Sequence, residues 1–216
     1  MTTAPTPSDT MGPTRPLLLA GTVAGPLFAV VSAAQALLRE GFDPLRHAVS
    51  QLTLGPGGWV QSASFVLTGL LTIACAAGLR TALRGGRGRL WAPVLVGVQG
   101  AGFVAAAAFP ADPGNGFPPG SPATATVTAT GMLHLTCAGI AFLALIAACF
   151  VLASRFSADD ARNWAIIGRI AGVLLFVGFA FANTGATGGT LAMFVGAVAA
   201  WVWVGASAAR LARSPG

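Results

Sequence analysis

Six stretches of this sequence are apolar around their whole circumference rather than along one stripe: 17–38, 62–79, 91–109, 131–152, 164–182 and 190–209. A helix needs about 20 such residues to cross the hydrocarbon core of a bilayer. Barrel strands would instead alternate apolar and polar residues. A water-soluble reading fails on charge, since only 8% of the residues are charged where a soluble domain carries about 25%. The expected fold is therefore all-α: a polytopic membrane bundle of six transmembrane helices. Residues 1–16, rich in Thr and Pro without periodicity, are expected to be a disordered cytoplasmic tail, and 210–216 a second tail.

The few charges then sort the ends of the spans. All 12 basic residues are arginines. Arg15, Arg80, Arg84, Arg87, Arg89, Arg155, Arg162, Arg169, Arg210 and Arg213 fall on one side, with Asp9, Asp159 and Asp160. Arg39 and Arg46 fall on the other, with Glu40, Asp43 and Asp112. The two sides carry +7 and −1, which together make the net charge of +6. Basic residues stay cytoplasmic during insertion, so both termini are expected inside a plasma membrane and the first, third and fifth connections outside. The same count explains the basic balance without nucleic acid, for which no basic-aromatic interleaving or helix-turn-helix pattern is present.

Details of the spans carry further expectations. Trp59, Trp91, Trp164, Trp201 and Trp203 are expected in the aromatic belts. Ser157 with Asp159 and Asp160 reads as an N-cap and acidic first turn for the fifth span, and Arg169 should snorkel to headgroups. Gly21 with Gly25, Gly168 with Gly172, and Gly196 with Ala200 have helix-packing spacing, inside one bundle or across a homodimer. Pro26 and Pro93 would kink their spans. Ala34-Gln35-Ala36 has the form of a signal-peptidase site, but the apolar run ahead of it is too long for a signal peptide, so the first span is expected to be retained. Cys75, Cys137 and Cys149 lie within spans and build no disulfide framework. Gly85-Gly86-Arg87-Gly88 reads as a basic turn rather than a phosphate cradle, and no cofactor motif occurs.

The polar residues gather on the outer side. Asp43-Pro44 should cap and open a short amphipathic helix in the first outer loop. Leu45, Val49 and Leu52 would form its apolar stripe, with Arg46, His47, Ser50 and Gln51 opposite. The second outer loop holds Pro110, Pro113, Pro118, Pro119 and Pro122 with Asp112, Asn115 and Phe117, a defined coil. His134 follows about a turn into the fourth span.

Phe42-Asp-Pro-Leu-Arg-His-x-Val-Ser-Gln-Leu-x-Leu-Gly, followed by Gly58-Trp-Val-Gln, resembles the bacterial membrane proteins grouped as domain-of-unknown-function family 998. Asp112-Pro, then Gly116-Phe-Pro-x-Gly and His134, resemble that family's second block. The resemblance spans about residues 17–209 and implies a six-helix fold common in actinobacteria. It implies no activity.

Four readings of the outer cluster follow. In the first, its side chains hold the loops: Asp43 caps its helix, Arg46 pairs with Asp43 or Glu40, His47 faces water, Asp112 closes an Asx-type turn and His134 bonds a backbone carbonyl. In the second, Asp43, Arg46, His47, Gln51, Asp112 and His134 line a polar pocket that binds a lipid or an envelope-related small molecule. In the third, a hydrolase acts on a lipid or lipid-linked substrate. It would use a metal held by His47, Asp112 and His134 with Asp43 nearby, or His47 or His134 as base beside Ser50. The fourth is small-solute transport, disfavoured because no acidic residue lies in mid-span and no span is broken at its centre.

Overall fold

A computed structural model of the chain describes residues 14–124 and 127–213. The tail expected at 1–16 lies outside the described residues up to position 13. Residues 14–16 already belong to the first helix. Six helices follow in order: α1 (Thr14–Leu38), α2 (Gly58–Ala82), α3 (Trp91–Ala108), α4 (Ala129–Ala158), α5 (Arg162–Ala182) and α6 (Gly189–Leu211). All six are long and apolar enough to cross a bilayer, as in a multi-pass membrane protein. Among the described residues there is no strand, only a single bridge between Gly114 and Phe117.

Each helix packs on its neighbours in sequence, and α6 returns against α1, so the six close into a ring. Helix α6 also leans inward to touch α2 and α4. Close approach is set by small residues, because van der Waals packing rather than hydrophobic burial joins helices in lipid. A β-carbon at Gly69 would stand 2.6 Å from the Gly100 carbonyl oxygen, and one at Gly25 would stand 2.8 Å from Trp201 Cβ. Gly21, Gly168, Gly172 and Gly196 likewise face Cys75, Trp203, Cys149 and Leu175 of the same chain. The small-residue faces are thus occupied inside the bundle.

That inward lean corrects two of the tryptophan expectations. Trp59 and Trp91 are exposed, as belt residues should be, but Trp201 and Trp203 are buried. Trp201 Nε1 donates to Gln99 Oε1 at 3.2 Å, and its ring packs on Phe103 at 4.7 Å and Phe28 at 5.1 Å. Trp203 Nε1 donates to the Trp164 carbonyl. An indole buried in a bundle must pair its N–H, and these two find partners on α3 and α5.

Two helix ends also differ from expectation. Helix α4 runs on through Ser157, so Ser157 does not cap α5; its hydroxyl instead accepts from Arg169 Nη2 at 2.8 Å, drawing that arginine toward the end of α4. Asp159 closes α4 and pairs with Arg155 at 2.6 Å. Pro93 stands in the first turn of α3, where its missing N–H breaks no helical bond, so of these two prolines Pro26 alone stands in a helix interior.

The molecule consequently has two dissimilar ends. The α2–α3 and α4–α5 turns meet the start of α1 and the end of α6 at an arginine-rich end. The opposite end carries the longer connections 39–57, 109–128 and 183–188.

Candidate functional site

The short helix of the first long connection is a 3₁₀ helix at Val49–Thr53 rather than an α-helix opening at Asp43. The reason lies in how Asp43 and His47 bond. Asp43 Oδ1 accepts the Leu45 N–H at 2.9 Å, and the Asp43 carbonyl accepts from Arg46 and His47, which makes one helical turn. His47 Nδ1 then turns back to accept the Asp43 N–H at 2.8 Å. Ala48 becomes extended, with φ −68° and ψ 144°, and the chain restarts as the 3₁₀ turn. Gln51 Oε1 accepts the Ala48 N–H at 3.0 Å and steadies that restart.

Two of the four side chains expected on a wet face therefore point into protein. His47 and Gln51 are buried, as is Leu52. His47 Nε2 meets the Asn115 carbonyl at 3.0 Å. A carbonyl only accepts, so this nitrogen carries the proton and Nδ1 the lone pair. Both ring nitrogens are then committed, and His47 does not face water. Gln51 Nε2 donates to Gly114 O at 3.2 Å, and Asn115 Nδ2 donates to Arg46 O at 3.2 Å. Phe117 is wholly buried between these contacts, with its ring 5.2 Å from Phe42 and 5.3 Å from His47, beneath the Arg39 guanidinium at 5.4 Å. Arg39 itself donates to Leu52 O and Leu54 O. The third connection joins through the Gly188 N–H to Leu45 O at 2.7 Å and Thr190 Oγ1 to Pro44 O at 2.9 Å. The first and second long connections together form a hydrogen-bonded roof.

The remaining candidates sit around this roof. Arg46 is mostly exposed and pairs with Asp43 at 3.6 Å. Asp112 makes no Asx turn of its own. Its carboxylate accepts the Thr128 hydroxyl at 2.6 Å and the Thr128 N–H at 3.0 Å, while the same hydroxyl caps α4 by accepting the Gly131 N–H at 3.0 Å. The Thr128 hydroxyl, then its N–H, hold the Asp112 carboxyl below its ordinary acidity range. His134 is buried on α4, and its Nδ1 lies 3.0 Å from Ala106 O and 2.9 Å from Phe109 O. Donation to these carbonyls leaves Nε2 with the lone pair. Among the described residues, no three of the His, Cys, Asp and Glu side chains come together as a metal-binding group. The set His47, Asp112 and His134 is thus spread over three separate bonding tasks.

Beneath the roof lies a feature that sequence reading missed. A half-open cavity of about 260 Å³ is lined by residues of all six helices together with Ala48, Val49 and Ser50 of the first long connection. Phe28, Phe65, Phe103, Phe142, Phe179 and Phe194 line it, and His134 and Ser50 share its wall. A second, more polar cavity of about 370 Å³ adjoins it, since both are lined by Ala48, Ala182 and Thr190. Arg46, Gln51 and Asn115 border this second space. The only signal in the sequence is one phenylalanine on each of the six spans, which cannot be told from ordinary core.

Deeper in the bundle, Gln35 Nε2 donates to Gln61 Oε1 at 2.5 Å and Gln61 Nε2 to Ser32 Oγ at 3.0 Å, tying α1 to α2.

These features define a class: a six-helix membrane-type bundle with a hydrogen-bonded roof over an aromatic pocket. The chain matches the family model described as Protein of unknown function (DUF998) over residues 22–210, and it belongs to that family. No curated protein and no solved structure gives a significant match.

Proposed function

We propose that the protein binds a lipid, or another amphipathic envelope-related molecule, in the aromatic cavity beneath the roof. In this reading both termini are cytoplasmic in a bacterial plasma membrane, and the roof faces outward because ten of the 12 arginines lie at the other end. The observation that carries the proposal is the pairing of two cavities: an apolar one walled by six phenylalanines and a polar one next to it. Ligand sites are mostly apolar with a few placed polar groups, and an amphipath needs that division. The roof residues Asp43, His47, Gln51 and Asp112 support the site by shaping its cover, while Arg46 at the rim and His134 in the wall are placed for contact.

A photoreactive acyl-chain lipid tests this directly. It is expected to label the α4 segment around Leu135–Phe142 in the native protein. Gly139 lines the cavity and has open space beside it, so Gly139→Phe should abolish labelling while the protein stays folded. Equal labelling of both would refute the site.

His-assisted hydrolysis is a second reading, favoured by one observation: His134, with its Nε2 lone pair, and Ser50 line the same cavity. It predicts turnover of a bound ester lipid that Ser50→Ala stops without lowering lipid labelling.

A further inference from the structure

A third cavity, of about 640 Å³, lies at the arginine end between the α2–α3 turn and the end of α4. Arg84, Arg87 and Arg155 line it with Thr14 and Thr81, and Asp159 is its one acidic residue. Arg155 is committed to structure, because it pairs with Asp159 and donates through Nη1 to the Gly85 carbonyl, holding the turn against α4. The guanidinium groups of Arg84 and Arg87 make no hydrogen bond or ion pair among the described residues. Beside them, no backbone acceptor takes the N–H groups of Gly85, Gly86 and Arg87 among the described residues. Gly86 has φ +73°, the left-handed conformation that turns successive N–H groups toward one side.

We propose that this cavity binds a phosphate-bearing anion through Arg84 and Arg87. Three guanidinium groups against one carboxylate leave the cavity with a surplus of positive charge. A guanidinium fork matches phosphate oxygens two at a time. The turn's backbone N–H groups add donors that need no charge. The cavity lies at the ends of the apolar helices, at the end that the proposed orientation makes cytoplasmic, so the phosphate can belong either to a lipid headgroup or to a phosphorylated solute. A basic pocket between membrane helices on the cytoplasmic side is suited to the first. This site is independent of the aromatic cavity, which lies at the opposite end.

The experiment uses the full chain in nanodiscs, with native mass spectrometry as the readout. One arm adds phosphatidylglycerol to phosphatidylcholine discs. A second adds inorganic pyrophosphate to discs of phosphatidylcholine alone. Two double variants remove equal charge from the same end: R84Q/R87Q within the cavity, and R89Q/R213Q, whose exposed arginines do not line it. Loss of two charge-assisted contacts should lower retention of the anion about tenfold or more in R84Q/R87Q, and R89Q/R213Q should stay close to the parent. Retention of phosphatidylglycerol alone assigns the site to a lipid headgroup, whereas retention of pyrophosphate as well assigns it to a phosphorylated solute. Equal loss in both double variants would mean diffuse attraction to a basic surface and would overturn the proposal. So would a parent protein that retains neither anion.

Discussion

The two ends of the bundle spend their polar groups in opposite ways. At the roofed end, His47, Gln51, Asn115 and Asp112 are each bonded to backbone or to Thr128, and the charge is small. At the arginine end the connections are short, and Arg84 and Arg87 line a cavity with no side-chain partner among the described residues. The difference teaches that gathered polar residues are not by themselves a reactive site. A buried polar group must be bonded or it costs free energy, and for His47 and Gln51 the bonds to Asp43, Ala48, Gly114 and Asn115 meet that requirement. The cavity lined by the six phenylalanines beneath the roof is mostly apolar.

The contrast can be broken in graded steps. The largest effect is expected from Phe117→Ala, which removes the wholly buried ring at the centre of the roof. Such truncations cost about 3–5 kcal/mol. Thermal unfolding in detergent should show a large drop in midpoint, and a shift as small as that of a surface variant would mean that the roof is not a packed unit. His47→Ala comes next, because it leaves the Asp43 N–H and the Asn115 carbonyl without their partner. A loss of about 1–3 kcal/mol follows from an unsatisfied buried group. Full stability in this variant would return His47 to the list of functional residues.

Arg46→Ala should do much less. Its pair with Asp43 is exposed and 3.6 Å long, and such pairs contribute about 0–1 kcal/mol. A stability change comparable to that of His47→Ala would contradict the division drawn here. The smallest effect is with pH. The Asp112 carboxyl is held below its ordinary value by Thr128, so its contribution is fully present above that value, near 4, and is lost only as pH falls through the lowered one. Asp112→Asn should therefore track the parent's stability profile in shape between pH 7 and pH 5, and the two should differ in shape only in more acidic solution.

The membrane architecture was legible because long apolar runs and scarce charge leave few alternatives. Orientation within the bundle was not. Trp201 and Trp203, expected in the belts, lie well inside α6, and its inward lean turns them into the core. Ser157 looked like a cap because serine before two aspartates is a common helix start, but α4 continues through it. For the candidate residues of the long connections, the sequence shows the donors and acceptors of side chains. Their actual partners are mostly backbone groups, of Asp43, Asn115, Gly114, Ala106 and Phe109, and those leave no mark in the residue types. The aromatic cavity was hidden for a related reason, since a phenylalanine facing empty space is the same letter as one packed in a core.

The central claim is that the roofed pocket holds an amphipathic molecule. Native mass spectrometry of protein released from mild detergent tests it most directly. The native chain should carry one retained lipid-sized adduct, and folded Gly139→Phe should appear bare. A bare native chain, or an adduct that persists unchanged in Gly139→Phe, would contradict the account.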